Sequence, residues 1–166
     1  MKYIEAPEYF DSKEKGIFLA GGITGCPDWQ SEIVDYLKDT DLTIYNPRRK
    51  NFPIHDPNAA SAQIKWEHYY LNYANMIQFW FPQETLCPIV LYELGAWSKT
   101  NKPIFVGVHP EYKRRQDVEI QTKLARPEVK IVFSLENLAK QIRDFASIGM
   151  SFPDYLGSKV DKKERQ

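Results

Sequence analysis

Gly16-Ile17-Phe18-Leu19-Ala20-Gly21-Gly22-Ile23-Thr24-Gly25 begins as a short continuous apolar run and empties into a glycine-rich turn. An apolar run of this length without alternation fits a strand buried on both faces. A helix is expected from about Pro27 to Lys38, with Trp29, Ile33, Val34 and Leu37 on its inner side. Strand, glycine loop and helix form the first unit of a nucleotide-type α/β fold. In that unit the glycines let a ligand approach the backbone, and the amides at the helix start favour an electron-rich group. The loop is neither GxGxxG nor a P-loop, because no Gly-Lys-Ser/Thr follows it. A tight strand-to-helix turn with no ligand therefore stays open as the alternative.

Outward from this unit the pattern repeats. Leu42 to Tyr45 reads as the second strand, and Arg48-Arg49-Lys50 opens a long loop to about Ala60, as a solvated basic tip. His55-Asp56-Pro57 has no second ligand pair at metal spacing and is read as turn chemistry, so no metal is expected. Ser61 to Ala74 reads as a helix capped by Ser61, and Met76 to Phe81 as the third strand, stopped by Pro82. Pro103 to Val108 and Lys130 to Phe133 are the fourth and fifth strands, and Ser134 caps a last helix. Met1 to Lys15 is either an irregular arm or an edge segment. Strands alternating with helices at this spacing predict an α/β three-layer sandwich on a five-stranded parallel sheet, in the flavodoxin-like order 2-1-3-4-5. One domain is expected over residues 1–166, with a core of about 16–147 and a C-terminal tail at 148–166. Right-handed crossovers put the loops after the strands on one edge, where open α/β sheets bind ligands. The Gly21–Thr24 and Gln83–Cys87 loops are expected to flank that point.

The helix expected from Pro88 to Trp97 carries two exceptions in an otherwise apolar segment, Glu93 and Gly95. Such a segment predicts a buried helix. A buried carboxylate is costly unless it is paired, hydrogen-bonded or put to use. Gly95 costs about 1 kcal/mol against Ala inside a helix and predicts a close approach to the backbone. Glu93 is either a structural carboxylate held by a neighbouring amide or arginine, or a catalytic one. Glu67, an acid set among Trp66, Tyr69, Tyr70 and Tyr73, is a second candidate, with a surface charge as the ordinary reading of a lone helical Glu.

Composition narrows the classes. Lys+Arg 22 balance Asp+Glu 22, which gives no sign of a nucleic-acid partner. No apolar run approaches the roughly 20 residues that span a bilayer, so no membrane partner is expected. The first fifteen residues are too polar and acidic for a secretory signal. Cys26 and Cys87 form neither a zinc-type pair nor a disulfide framework, which predicts a reducing, cytoplasmic setting. No cofactor is expected.

The segments Ile17-Phe18-Leu19-Ala20-Gly21-Gly22-Ile23-Thr24, Trp66-Glu67 with Ala74-Asn75 and Phe79-Trp80-Phe81-Pro82, and Tyr92-Glu93-Leu94-Gly95-Ala96 together resemble the nucleoside 2-deoxyribosyltransferase family. The resemblance implies a flavodoxin-like sandwich in which the Glu of Glu-Leu-Gly, here Glu93, attacks the anomeric carbon of the sugar. It implies that an upstream acid, here Glu67, handles the nucleobase. From the matching segments it implies substrate binding by Gly21, Gly22, Ile23, Thr24, Trp66, Asn75, Trp80 and Pro82. Trp66, Tyr69 and Trp80 can stack a base or fill the core. The implied reaction moves 2-deoxyribose between nucleobases by a retaining double displacement through a glycosyl-Glu93 intermediate, with nucleoside and free nucleobase as partners. The alternatives are an N-glycoside hydrolase using the same Glu93 and a non-catalytic nucleotide-binding domain. Cys87-Pro88-Ile89-Val90 offers no hydroxyl for a phosphate, which favours an unphosphorylated nucleoside. Many members carry an Asp ahead of the Glu helix, where this chain has Glu84 as its nearest acid, and members use a terminal carboxylate from a neighbouring subunit. A homo-oligomer is expected, with Phe152, Tyr155 or Leu156 in the interface.

Overall fold

In the computed structural model, which describes residues 1–147, the N-terminal residues Lys2–Glu5 form strand β1. The apolar run becomes strand β2, Gly16–Gly21, and helix α1 follows over Trp29–Leu37. Strand β3, Thr43–Asn46, precedes helix α2, Ala59–Tyr73. Strand β4, Met76–Phe81, leads into helix α3, Pro88–Trp97. Strand β5, Ile104–Val108, is followed by helices α4, Arg115–Ala125, and α5, Leu135–Ser147.

The sheet is parallel and five-stranded, in the order β1-β3-β2-β4-β5. Side chains alternate across it as the pleat requires. Phe18, Ala20, Ile77, Phe79 and Phe81 face one core with Trp66, Tyr70, Val90, Leu94 and Val118 from α2, α3 and α4. Ile17, Leu19, Met76, Trp80 and Phe105 face the other, with Ile33 and Leu37 from α1 and Leu138 and Ile142 from α5. The three-layer sandwich and the flavodoxin-like order are as expected, with two changes of membership.

The first change is at the N-terminus. Of the two alternatives for that arm, the edge segment is observed, since Lys2 to Glu5 pair in register with Thr43 to Asn46. The second is at the far edge, where the expected fifth strand, Lys130–Phe133, shrinks to one bridge between Gly107 and Val132. Val132 still makes both backbone bonds, Val108 N–H to Val132 O at 2.9 Å and Val132 N–H to Val106 O at 3.1 Å. A turn closed by Val129 N–H to Arg126 O on one side, and the start of α5 at Leu135 on the other, leave no length for a ladder.

Two helix expectations are also corrected. Helix α2 starts before Ser61, because the Asp56-Pro57-Asn58 turn launches it: Asp56 accepts from Asn58 N–H through Oδ1 and from Ala59 N–H through its carbonyl. Ser61 lies inside the first turn and caps nothing. Helix α3 is not buried all round: Val90 and Leu94 enter the core, whereas Ile89 is 64% and Tyr92 77% exposed. No described element covers that outer side. A Cβ on Gly95 would meet nothing within 4 Å, so no close approach explains that glycine.

At the end away from the glycine loop, Lys102 joins two helices. Its Nζ donates to the carbonyls of Leu71 at 2.7 Å, Asn72 at 2.7 Å and Ala74 at 2.6 Å. These are carbonyls at the end of α2, which have no intrahelical partner. The same ammonium lies 4.6 Å from the Trp97 ring centroid at the end of α3. Burial lowers its pKa to about 8, so it keeps its charge at neutral pH.

Candidate active site

The loop after β2 is held by its neighbours. Trp29 Nε1 donates to Gly22 O at 2.7 Å. A Cβ on Gly21 would fall 2.3 Å from Trp29 Cζ2 and 2.7 Å from Trp80 O. A Cβ on Gly22 would fall 2.9 Å from Cys87 Sγ, 2.9 Å from Pro82 Cγ and 3.0 Å from Cys26 Sγ. Only glycine fits at both positions, so the two residues are packing requirements of the loop. Arg48 ties the loop from the other side, its guanidinium donating to Cys26 O at 2.9 Å and Pro27 O at 2.8 Å. The basic triplet thus contributes a structural clamp. Across the crevice, Tyr112 Oη donates to Leu86 O at 2.7 Å and fixes the loop before α3.

Between these loops lies a cavity of about 250 Å³, just below the range of small-molecule sites, which run from about 300 Å³ upward. It sits where the chain leaves β2 toward α1 on one face and β4 toward α3 on the other, the position at which open α/β sheets bind ligands. Phe18, Ala20 and Gly21 to Thr24 form its floor and one wall. Thr85 and Cys87 to Val90 form another wall, and Pro47 and Glu67 come from the α2 side. Glu93 completes the lining from α3.

The electrostatics follow from burial. Burial first, and then the charge of Glu67, push the Glu93 carboxyl up to about 8. Burial also raises the Glu67 carboxyl, opposed by the hydrogen bond that Gln63 Nε2 donates to Glu67 Oε1 at 2.9 Å. The two acids therefore resist carrying charge together. Burial pushes the Cys87 thiol up to about 12, which makes it a poor nucleophile. Cys87 itself takes the left-handed conformation, φ 47°, just before Pro88 opens α3. Such a backbone is uncommon outside Gly, Asn and Asp. Ile89 and Val90 lie in the first turn, where backbone N–H groups have no intrahelical acceptor. The cavity thus offers two protonatable carboxyls, the hydroxyls of Thr24 and Thr85, and a helix start, against an otherwise apolar lining.

Of the residues expected here, Gly21, Gly22, Ile23, Thr24, Glu67 and Glu93 are brought together. Four are not. Trp66 is fully buried in the core, its Nε1 donating to Glu8 O at 2.7 Å and its ring packed 4.6 Å from that of Tyr70. Trp80 points to the opposite face of the sheet, into the core with α1 and α5. Asn75 lies at the opposite edge, before β4, where its Oδ1 accepts from Gly16 N–H at 2.7 Å. Pro82 is buried behind Gly22 and does not line the cavity. Tyr69, the other stacking candidate, donates its hydroxyl to Asp11 at 2.7 Å on the surface. Pro47 and Thr85 were missed, although both follow strands on the edge that the crossover rule singles out. Among the described residues no group of three or more His, Cys, Asp or Glu is placed to hold a metal, and no helix is long and apolar enough to cross a membrane.

Comparison with known protein families matches residues 14–112 to the family described as nucleoside 2-deoxyribosyltransferase like. The chain belongs to that family. The match runs across every residue that lines the cavity, from Phe18 to Glu93. A solved structure of a conserved protein from Enterococcus faecalis V583 has a similar fold, with a TM-score of 0.58 and 14% identity. The similarity covers 79% of this chain and 98% of that one. Comparison with curated proteins gives no match. Membership of the nucleoside 2-deoxyribosyltransferase-like family accounts for the fold.

Proposed function

We propose that this protein is a nucleoside 2-deoxyribosyltransferase, moving 2-deoxyribose from one nucleobase to another. The observation that carries the proposal is the convergence of Glu67 and Glu93, from two different helices, on one largely apolar cavity. Membership of the nucleoside 2-deoxyribosyltransferase-like family supports it.

In this scheme a Glu93 carboxylate oxygen attacks the anomeric carbon as the N-glycosidic bond breaks, and the bonding pair departs with the base nitrogen. Glu67 gives its proton to the departing base, which otherwise leaves as an anion. The sugar stays on Glu93 as an ester. An incoming base then attacks the same carbon, Glu67 takes the proton that the new bond displaces, and Glu93 is released. Two inversions give retention. The productive form carries the pair's single proton on Glu67 and the charge on Glu93. Burial by itself favours the proton on Glu93. A bound sugar gaining positive character at its anomeric carbon reverses that preference.

The test is incubation with a 2′-deoxynucleoside, with and without a second free base, followed by chromatography. The new nucleoside is expected only with the second base. A 2′-fluoro-arabino nucleoside should leave one sugar per chain by intact mass, mapped to residues 88–99, and a free base should discharge it faster than buffer. Discharge to free sugar alone would make the enzyme an N-glycoside hydrolase. One observation favours that second possibility for a phosphorylated substrate: Thr24, Thr85 and the first turn of α3 surround the cavity with groups that bind phosphate. Deoxynucleoside 5′-monophosphates belong in the same assay. A homo-oligomer and a reducing cytoplasmic location complete the proposal, and sedimentation velocity tests the former. The residues named for its interface, Phe152, Tyr155 and Leu156, lie outside the described residues.

A further inference from the structure

Gln63 stands one helical turn before Glu67 on α2 and does not line the cavity, yet its amide donates to the carboxyl that does. Its Nε2 donates to Pro47 O at 2.7 Å and to Glu67 Oε1 at 2.9 Å. Both amide N–H bonds are thereby used. Its Oε1 is buried without a hydrogen-bond partner among the described residues. Reversing the amide would not relieve that acceptor, since it would put an unpartnered N–H donor in its place and lose both existing bonds. Pro47 O is a carbonyl and can only accept, so an amide oxygen in place of Nε2 would stand 2.7 Å from a second acceptor. Pro47, at the end of β3, thus locks the amide with its donors toward Glu67.

The consequence falls on the two oxygens of Glu67. An oxygen that accepts an N–H bond is the carbonyl-like one when the group is protonated, which leaves the acid proton to the other. We propose that Gln63 is a positioning residue that keeps Glu67 Oε1 as an acceptor and so reserves Oε2 for the proton exchanged with the nucleobase. The assignment rests on the transferase or hydrolase chemistry proposed above, in which Glu67 is the group that touches the base. Without the amide, neither oxygen of Glu67 is set apart, and the proton is shared between both. The donor also stabilises the charged form, which Glu67 adopts once the proton is passed on. The other titratable groups lining this cavity are Glu93 from α3 and Cys87 at its start. The β2 floor, the loop after it and Pro47 bring none.

The experiment compares wild type with Gln63→Leu by two readouts. Carbon-13 NMR of labelled glutamates follows the Glu67 carboxyl, assigned by its disappearance in Glu67→Gln. In Gln63→Leu its midpoint should rise by about half to one pH unit, the direction expected when a carboxylate loses a donor. Steady-state kinetics should show at least a tenfold loss of kcat/KM on a natural nucleoside. The loss should be under threefold on one whose base is a good leaving group and needs no proton. Equal losses on both substrates, or an unmoved Glu67 midpoint in a folded variant, would overturn the proposal. If Gln63→Leu disturbs α2 by circular dichroism, Gln63→Met keeps the chain length, removes only the amide, and is read by the same criteria. Should wild type cleave no nucleoside at all, the functional proposal fails, and this assignment of the base-side proton fails with it. The NMR arm then tells which step broke, since a raised midpoint would still show the amide acting on Glu67.

Discussion

Glu93 and Glu67 line the same cavity, but among the described residues only Glu67 of the two has a side-chain hydrogen-bond partner, and that asymmetry sets three expectations. Glu93→Gln should abolish turnover while the protein stays folded, since the amide keeps the shape and removes the nucleophile. Near-normal rates would mean that another group attacks. The same variant should gain stability in a defined pH window. The folded pKa of Glu93, about 8, lies above its unfolded value near 4.5. Its protonated form is compatible with burial, so stability is full below the unfolded value and is lost as pH rises toward 8. Glutamine cannot ionise, and thermal melts should show Glu93→Gln more stable than wild type at pH 8, by about 2–4 kcal/mol, with the gap closing near pH 4. An unchanged gap would mean that the carboxyl finds solvent or a partner. Glu67→Gln should slow natural nucleosides far more than substrates with a good leaving base. On such substrates the variant needs only an ionised Glu93, whose pKa should fall below 8 once the Glu67 charge is gone. The pH profile of kcat/KM tests this: wild type on natural nucleoside should lose activity on both sides of its optimum, and the variant only on the acid side.

At the scale of elements, what could be read from sequence depended on whether the pattern had one physical cause. The run Gly16 to Ala20 had one, a strand covered on both faces, and the observed strand extends it by one residue to Gly21. The apolar run in α3 had two possible causes, a helix packed all round or a helix with a bare apolar side, and periodicity cannot separate them when almost every residue is apolar. Glu93 stood out as the lone acid of an apolar segment, whereas Glu67, between Lys65 and His68, was marked by its aromatic neighbours and the family resemblance. Trp66 and Trp80 misled because an aromatic side chain serves a core as readily as a ligand, and pleat parity alone sends Trp80 to the far face. Pro47 and Thr85 carried no chemical signal and needed the edge on which their loops lie. Strand β4 holds a further residue at odds with its setting. Gln78 is fully buried between Leu19 and Phe105, and neither polar atom of its amide has a partner among the described residues. Gln78→Met, which preserves length and removes the unpaired groups, should raise the unfolding free energy by about 1–3 kcal/mol. Urea titration would measure it, and a loss of stability would mean that the amide is satisfied in solution.

Over the whole molecule, the order of strands matters more than their number. Adding β1 at one edge and reducing the ladder at the other leaves the β2–β4 junction untouched, and that junction places the cavity. Lys102, by contrast, acts across elements. It holds the last turn of α2 and the last residue of α3, and Glu67 and Glu93 each stand about one turn, roughly 6 Å of helix, back from those fastenings. The two helices therefore behave as short levers on a common fulcrum, with a carboxyl partway along each arm and the open mouth of the cavity beyond. Lys102→Met should speed amide exchange at the end of α2. It should broaden the distribution of Glu67–Glu93 separations, seen as a smaller mutual influence between their titrations. A rigid fulcrum fixes how far apart two like charges can retreat, and with it how strongly one proton binds the pair.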